Sequence, residues 1–171
     1  MNTRTNSQKI LFLSWRDIKH PKKGGAEVYT HEVLKRLVER GSEINARHPE
    51  SGNTPLGQAA TYGHRGIAKY LIQQGARVSG RNRDGNTPLH IAAFFCDFDL
   101  VTMLLEQGAN REKKNRKGES AADVVSGWSE KTADFYRAVG PAVNREFVIE
   151  QLPDDRKRMA KLIEEYKSTD L

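Results

Sequence analysis

The sequence predicts a mainly α fold: a solenoid of helix-turn-helix repeats, with a strand-loop-helix segment before it and a helical cap behind it. Three observations carry this expectation. Gly52-Asn53-Thr54-Pro55-Leu56 recurs as Gly85-Asn86-Thr87-Pro88-Leu89, a shift of 33 residues. The pairs Ala59-Ala60 and Gly75-Ala76 recur at the same shift, as Ala92-Ala93 and Gly108-Ala109. Between them, apolar residues recur at helical spacing. Several identities at one constant shift mark a supersecondary unit stacked on copies of itself.

The N-terminal segment differs from the rest. Lys9-Ile10-Leu11-Phe12-Leu13-Ser14-Trp15 reads as a buried strand. A basic loop follows, His20-Pro21-Lys22-Lys23, and Gly24-Gly25-Ala26-Glu27 opens a helix expected to run to about Arg40. A strand, a Gly-rich loop and a helix N-terminus make a candidate anion site, with Gly24 and Gly25 as its phosphate-binding residues. Residues 9–41 resemble the start of a family-4 glycosyltransferase of the GT-B fold. Such an enzyme also needs the rest of a Rossmann-like domain and a second domain with the sugar-nucleotide site. No later alternation of strand and helix supplies them. One strand-helix unit can neither close a sheet nor exclude water from a reacting sugar. A non-enzymatic chain is expected. A natural fusion, a sequence artefact and an engineered chimera would each give this splice.

The repeats follow. Val33, Leu37 and Val38 stand before Gly41 as Ile67, Leu71 and Ile72 stand before Gly75, so the helix over 26–40 fits as the second helix of a first unit. Thr54 and Thr87 sit where a hydroxyl would cap a helix. Pro55 and Pro88 then occupy the first helical position, where a missing N–H costs nothing. The Ala pairs allow close stacking between units. A second helix carries Ile67, Leu71 and Ile72 in one copy and Leu100, Leu104 and Leu105 in the next. Gly75 and Gly108 suit the left-handed residue that ends it. Ser79–Asp84 and Glu112–Lys117 read as exposed turns. Gly118-Glu119-Ser120-Ala121-Ala122 is a worn third copy.

These motifs resemble the ankyrin repeat family over about residues 31–127. The resemblance implies an array over 26–127, with repeats near 49–82 and 83–115 and a degenerate capping unit over 116–127. It implies a structural, hydrogen-bonding role for His90. Gly57 replaces that histidine in the preceding unit, which implies looser packing there.

Residues 128–171 are expected to form a helical cap. A helix over Trp128–Val139 has Ser129 as its N-cap, and Gly140-Pro141 is expected to break it. A second helix is expected over 142–152 and a third from Pro153. Met159, Leu162, Ile163 and Tyr166 give the third an apolar face. That face would cover the end of the solenoid; a partner helix or a dimer contact is the other reading.

Composition narrows the function. With 37% hydrophobic and 29% charged residues, the chain reads as an ordinary globular protein. Its longest apolar run is about six residues, too short for a membrane span. The polar N-terminus argues against a secretory signal, so a cytoplasmic protein is expected. One cysteine, Cys96, excludes an internal disulfide or a cysteine cage. None of the five histidines stands at metal-ligand spacing. No metal, cofactor or catalytic residue is therefore expected. The net charge of +6 divides as +5 over residues 1–48, zero over 49–110, +2 over 111–127 and −1 over 128–171. That is no continuous stripe, which speaks against a nucleic-acid surface.

Recognition remains. In ankyrin arrays, variable positions of the first helix and the turn tips form a concave binding surface. The resemblance carries these onto Gln58, Thr61 and Tyr62, and onto Ile91, Phe94 and Phe95. Arg81, Arg83, Lys113, Lys114, Arg116 and Lys117 line the tips. Adjacent exposed aromatics inside a basic rim would suit an acidic protein partner. The other reading turns Phe94 or Phe95 inward, because Cys96-Asp97 replaces the Gly63-His64 turn. The expected function is a non-catalytic protein-binding module, serving as an adaptor, inhibitor or immunity-type binder. The alternatives are a nucleotide-sugar or phosphate binder at the Gly24-Gly25 loop and a chimera without evolved function.

Overall fold

Two Thr-Pro dipeptides start two of the helices, as their chemistry demands. The computed structural model describes residues 43–143 and 145–167. The strand expected over 9–15, the Gly24-Gly25 loop and the helix expected over 26–40 lie outside them. Every regular element among the described residues is helical: α1 (Pro55–Tyr62), α2 (Arg65–Gln73), α3 (Pro88–Phe94), α4 (Phe98–Glu106), a 3-10 turn (Asp123–Val125), α5 (Glu130–Ala142) and α6 (Leu152–Glu165).

The Thr54 hydroxyl accepts the Gly57 N–H at 3.2 Å. Thr87 does more: its hydroxyl caps the His90 N–H, and its own N–H donates to His90 Nδ1 at 3.3 Å. This reciprocal capping box satisfies two orphan donors at once. The second helix of each unit ends in a Schellman motif. Ala76 N–H reaches Leu71 C=O and Gly75 N–H reaches Ile72 C=O, both at 2.9 Å, with Gly75 at φ 85°. Ala109 and Gly108 repeat the pattern on Leu104 and Leu105. At the end of α3 the left-handed position falls to Cys96, at φ 51°, where its counterpart after α1 is Gly63.

The two units stack through α1 on α3 and α2 on α4. Leu56, Ala59, Ala60, Ile67 and Leu71 have no exposed surface, and neither have Leu89, Ala92, Ala93, Leu100 and Leu104. Each fully buried Leu or Ile contributes about 1.5–3 kcal/mol, and the alanines set the spacing. The turns are tied by backbone bonds at the repeat period. Arg83 N–H donates to Ser51 C=O at 3.0 Å, and Arg116 N–H to Asp84 C=O at 2.9 Å.

The segment after the second unit is shorter than a repeat. Ser120 and Asp123 cap each other reciprocally, and only the 3-10 turn follows.

The tail departs from expectation at two points. Ser129 caps α5 through Thr132 N–H at 3.3 Å, but Gly140-Pro141 does not break the helix. Pro141 lies in the last turn, where it forfeits one hydrogen bond, and Arg145 N–H closes that turn on Gly140 C=O at 2.9 Å. The helix expected over 142–152 is absent among the described residues; residues 145–148 are irregular. Long-range contacts pull this segment out of helical form. Arg145 Nη2 donates to Ala60 C=O, 85 residues away, at 2.6 Å. α6 then packs against the 3-10 turn and α3. Met159 and Ile163 of the expected apolar face are buried, while Leu162 and Tyr166 are partly buried. Arg111 Nη1 donates to the carbonyls of Ile163, Glu164 and Tyr166 at 2.8–3.1 Å, placing a cation at the negative end of α6.

Candidate protein-binding groove

The stacked first helices form a floor, the turns rise on one side, and α5 stands on the other. Between them lies a groove of about 690 Å³. Its floor is Ile91, Phe94, Phe95 and Thr61. The turn wall carries Asn82, Asp84, Lys117 and Glu119, and the α5 wall carries Lys131, Thr132 and Phe135.

His90 is on the floor side and has a structural task. Its Nδ1 accepts from Thr87, so Nε2 carries the proton and donates to Glu119 C=O at 3.1 Å. Burial lowers its pKa below the ordinary histidine value. The neutral ring thus joins the start of α3 to the next turn. The Asn115 amide extends this join, donating to Asn86 Oδ1 at 3.0 Å and to Glu119 Oε2 at 2.9 Å. One unit earlier the chain of bonds is broken. Gly57 supplies no side chain, and Asn53 Oδ1, buried on the groove, has no hydrogen-bond partner.

The expected pair of exposed aromatics needs correction. Phe95 is 9% exposed. Its ring stacks on Phe147 at 5.9 Å, and the Arg145 guanidinium lies over it at 4.8 Å. Phe94 is half-buried, stacked on Tyr136 at 5.1 Å and edge-on to Phe135 at 5.4 Å. The chain's own tail therefore covers much of the aromatic centre. The Tyr136 hydroxyl donates to Phe94 C=O and accepts from Arg156 Nη1 at 2.8 Å. Arg156, buried, also reaches Val124 C=O at 2.8 Å, so the guanidinium is held by oxygens of α5 and the 3-10 turn. Ile91 is likewise buried at 9% exposure.

The remaining predicted residues divide. Thr61, Ile91, Phe94, Phe95 and Lys117 share the groove. Tyr62 lines a separate cavity of about 420 Å³ with Arg65, Asp97 and Arg145. There the buried Asp97 carboxylate pairs with Arg65 at 2.7 Å and Arg145 at 3.4 Å. Gln58 accepts from Asn53 Nδ2 at 3.4 Å. The tip arginines serve the solenoid: Arg81 reaches Gly85 C=O at 3.0 Å and Lys114 C=O at 2.7 Å, and Arg83 reaches Pro49 C=O at 2.5 Å. Lys114 pairs with Asp123 at 2.8 Å, holding that carboxyl well below the usual range. Lys113 is half-buried and Arg116 exposed. These contacts consume donors but leave the tips' positive charge in place.

Lys131, Thr132 and Phe135 were not legible as site residues. The signal available was the adjacent Phe135-Tyr136 in the helix expected over Trp128–Val139, for which the sequence specified no contact surface. Burial raises the Cys96 thiol pKa to about 11, which disfavours the thiolate. Among the described residues, no three His, Cys, Asp or Glu stand together as metal ligands, and no helix is long and apolar enough to cross a membrane.

The family model for ankyrin repeats (3 copies) matches residues 25–115, more than half of the chain. The chain belongs to the ankyrin repeat family. An ankyrin repeat and KH domain-containing protein of Caenorhabditis briggsae is 40% identical over 47 residues, which are 28% of this chain and 2% of that protein. Among solved structures, the ankyrin repeat domain of Bcl-3, described as a unique member of the IkappaB protein family, superposes with a TM-score of 0.54 at 28% identity. That likeness covers 66% of this chain and half of the other. The family match takes in residues 25–41, part of the segment that resembles a glycosyltransferase start. None of these likenesses supports that resemblance.

Proposed function

We propose that the chain is a non-catalytic protein-protein interaction module that receives its partner on the concave side of the repeats, with the groove between the turns and α5 as the contact. The observation that supports it most is the groove itself. It offers an apolar floor at Ile91 and Phe94 and an exposed aromatic edge at Phe135, set beside tips with an excess of positive charge. The apolar surface would supply affinity. The basic tips, among them Lys113, Arg116 and Lys117, would speed encounter with an acidic surface and make it sensitive to salt.

Site-specific photo-crosslinking tests this. A crosslinker at Lys117 should capture a partner protein in the source cells, whereas one at the exposed Lys69 on α2, away from the groove, should not. Equal capture at both positions would remove the groove from the proposal. Raising ionic strength should lower the Lys117 yield if the partner is acidic.

A further inference from the structure

We infer that the repeats carry a docking site for an arginine and an aromatic ring two residues on, that residues 145–148 fill this site from within the chain, and that a partner segment of the same chemistry displaces them. The site lies across Phe95 from the groove proposed above and goes beyond that reading.

Three observations carry the inference. First, the repeats build a seat for a guanidinium. α1 stops at Gly63, and a Cβ there would lie 2.9 Å from Arg145 Cζ, so a side chain at that position would push the guanidinium out. Ala60 C=O, one of the last four carbonyls of α1, accepts from Arg145 Nη2 at 2.6 Å. The Asp97 carboxylate stands at 3.4 Å, and the guanidinium lies 4.8 Å from the Phe95 ring centre, a cation–π distance. Two residues on, Phe147 stacks on the same ring at 5.9 Å. Second, the repeats are complete without this occupant. Asp97 keeps Arg65 at 2.7 Å and the Leu100 N–H at 3.2 Å, so lifting Arg145 leaves no buried carboxylate unpaired. Around the adjoining cavity, two carboxylates, Asp97 and Asp155, would then face one guanidinium, Arg65; Asp155 also meets Arg158 at 3.2 Å. The opened site therefore favours a cation. Third, few groups hold the segment down. Among the described residues its backbone bonds are local: Arg145 N–H to Gly140 C=O, and the N–H groups of Gln151 and Leu152 to Val148 C=O. Its grip rests on Arg145, Phe147 and the half-buried Ile149, while Glu146, Val148 and Glu150 are exposed. Arg145 Nε is buried without a partner, so even the anchor is incompletely bonded. A segment fixed by side chains over a polar cavity of about 420 Å³ opens more easily than the packed helices beneath it.

The test is an amide-resolved nuclear magnetic resonance titration of the full chain with a synthetic peptide, blocked at both ends, carrying the sequence of residues 143–150. The double variant Arg145→Ala/Phe147→Ala opens the site. Its Gly63, Phe95 and Asp97 amides should shift saturably with peptide. The wild type should need at least roughly tenfold more peptide, since its own segment competes at an effective concentration on the order of millimolar. The same peptide with alanine in place of its arginine should not bind. Arg145→Lys is the second variant, used if the double one unfolds. Lysine keeps the charge but loses the planar fork and the stacking, so the arginine peptide should bind this chain several-fold more tightly than wild type. Saturable shifts in neither variant would overturn the inference. So would equal titrations of variant and wild type, or equal binding of the peptide without arginine. Crosslinking at Lys117 reports on the groove, so the two readings fail separately.

Discussion

Position 57 shows what one residue does to a repeat. In the next unit His90 closes a capping box and reaches the following turn; Gly57 does neither, and Asn53 is left with an open acceptor. A Cβ at Gly57 would sit 3.5–3.7 Å from Asn53 and Thr54 atoms, ordinary contact, and the backbone there is not left-handed. Gly57→Ala should therefore stabilise the chain by about 0.5–1 kcal/mol, measured as a higher urea midpoint. His90 sets a pH dependence. Its folded pKa lies below the ordinary 6.5, so between those two values the unfolded chain binds the proton and the folded chain does not. Its contribution is complete above 6.5 and declines as pH falls toward the folded value. Urea midpoints at mildly acidic and neutral pH should differ more for wild type than for His90→Gln. An equal pH dependence in both would contradict the buried neutral ring.

At the scale of elements, helix starts and stops were legible because their signals are local. Thr-Pro dipeptides and post-helix glycines act within one turn. The course of residues 145–151 was not legible, because a contact between Arg145 and Ala60 decides it. The same distance effect hid the fate of Phe95. Its sequence neighbours allow exposure or burial, and Phe147, far along the chain, settles it. α5 outlasts Gly140-Pro141 because a helix end tolerates what a helix centre does not. α6 depends on a distant residue as well, since Arg111 caps three of its final carbonyls. Arg111→Ala should cost about 1–2 kcal/mol and raise hydrogen exchange in the last turn of α6 more than in α4.

Over the whole molecule, a repeat array alone would leave its last unit and its concave face open. The tail closes both. α6 covers the end, while α5 and the segment after it pack onto Phe94 and Phe95 of the concave face, leaving a groove rather than an open surface. The repeat half of that groove was legible through the resemblance to ankyrin arrays, which carried binding positions onto Thr61, Ile91 and Phe94, three residues that line it. The tail half was not, because nothing in a helix of mixed polarity says which surface it will meet. The proposed contact area depends on this arrangement. A selectively aromatic-labelled sample tests it most directly by nuclear Overhauser spectroscopy. Cross-peaks are expected between the rings of Phe94 and Tyr136, and between those of Phe95 and Phe147, whose centroids lie 5.1 and 5.9 Å apart. Their absence, with the Phe94–Phe95 cross-peak retained, would show a concave face without its second wall and contradict the groove.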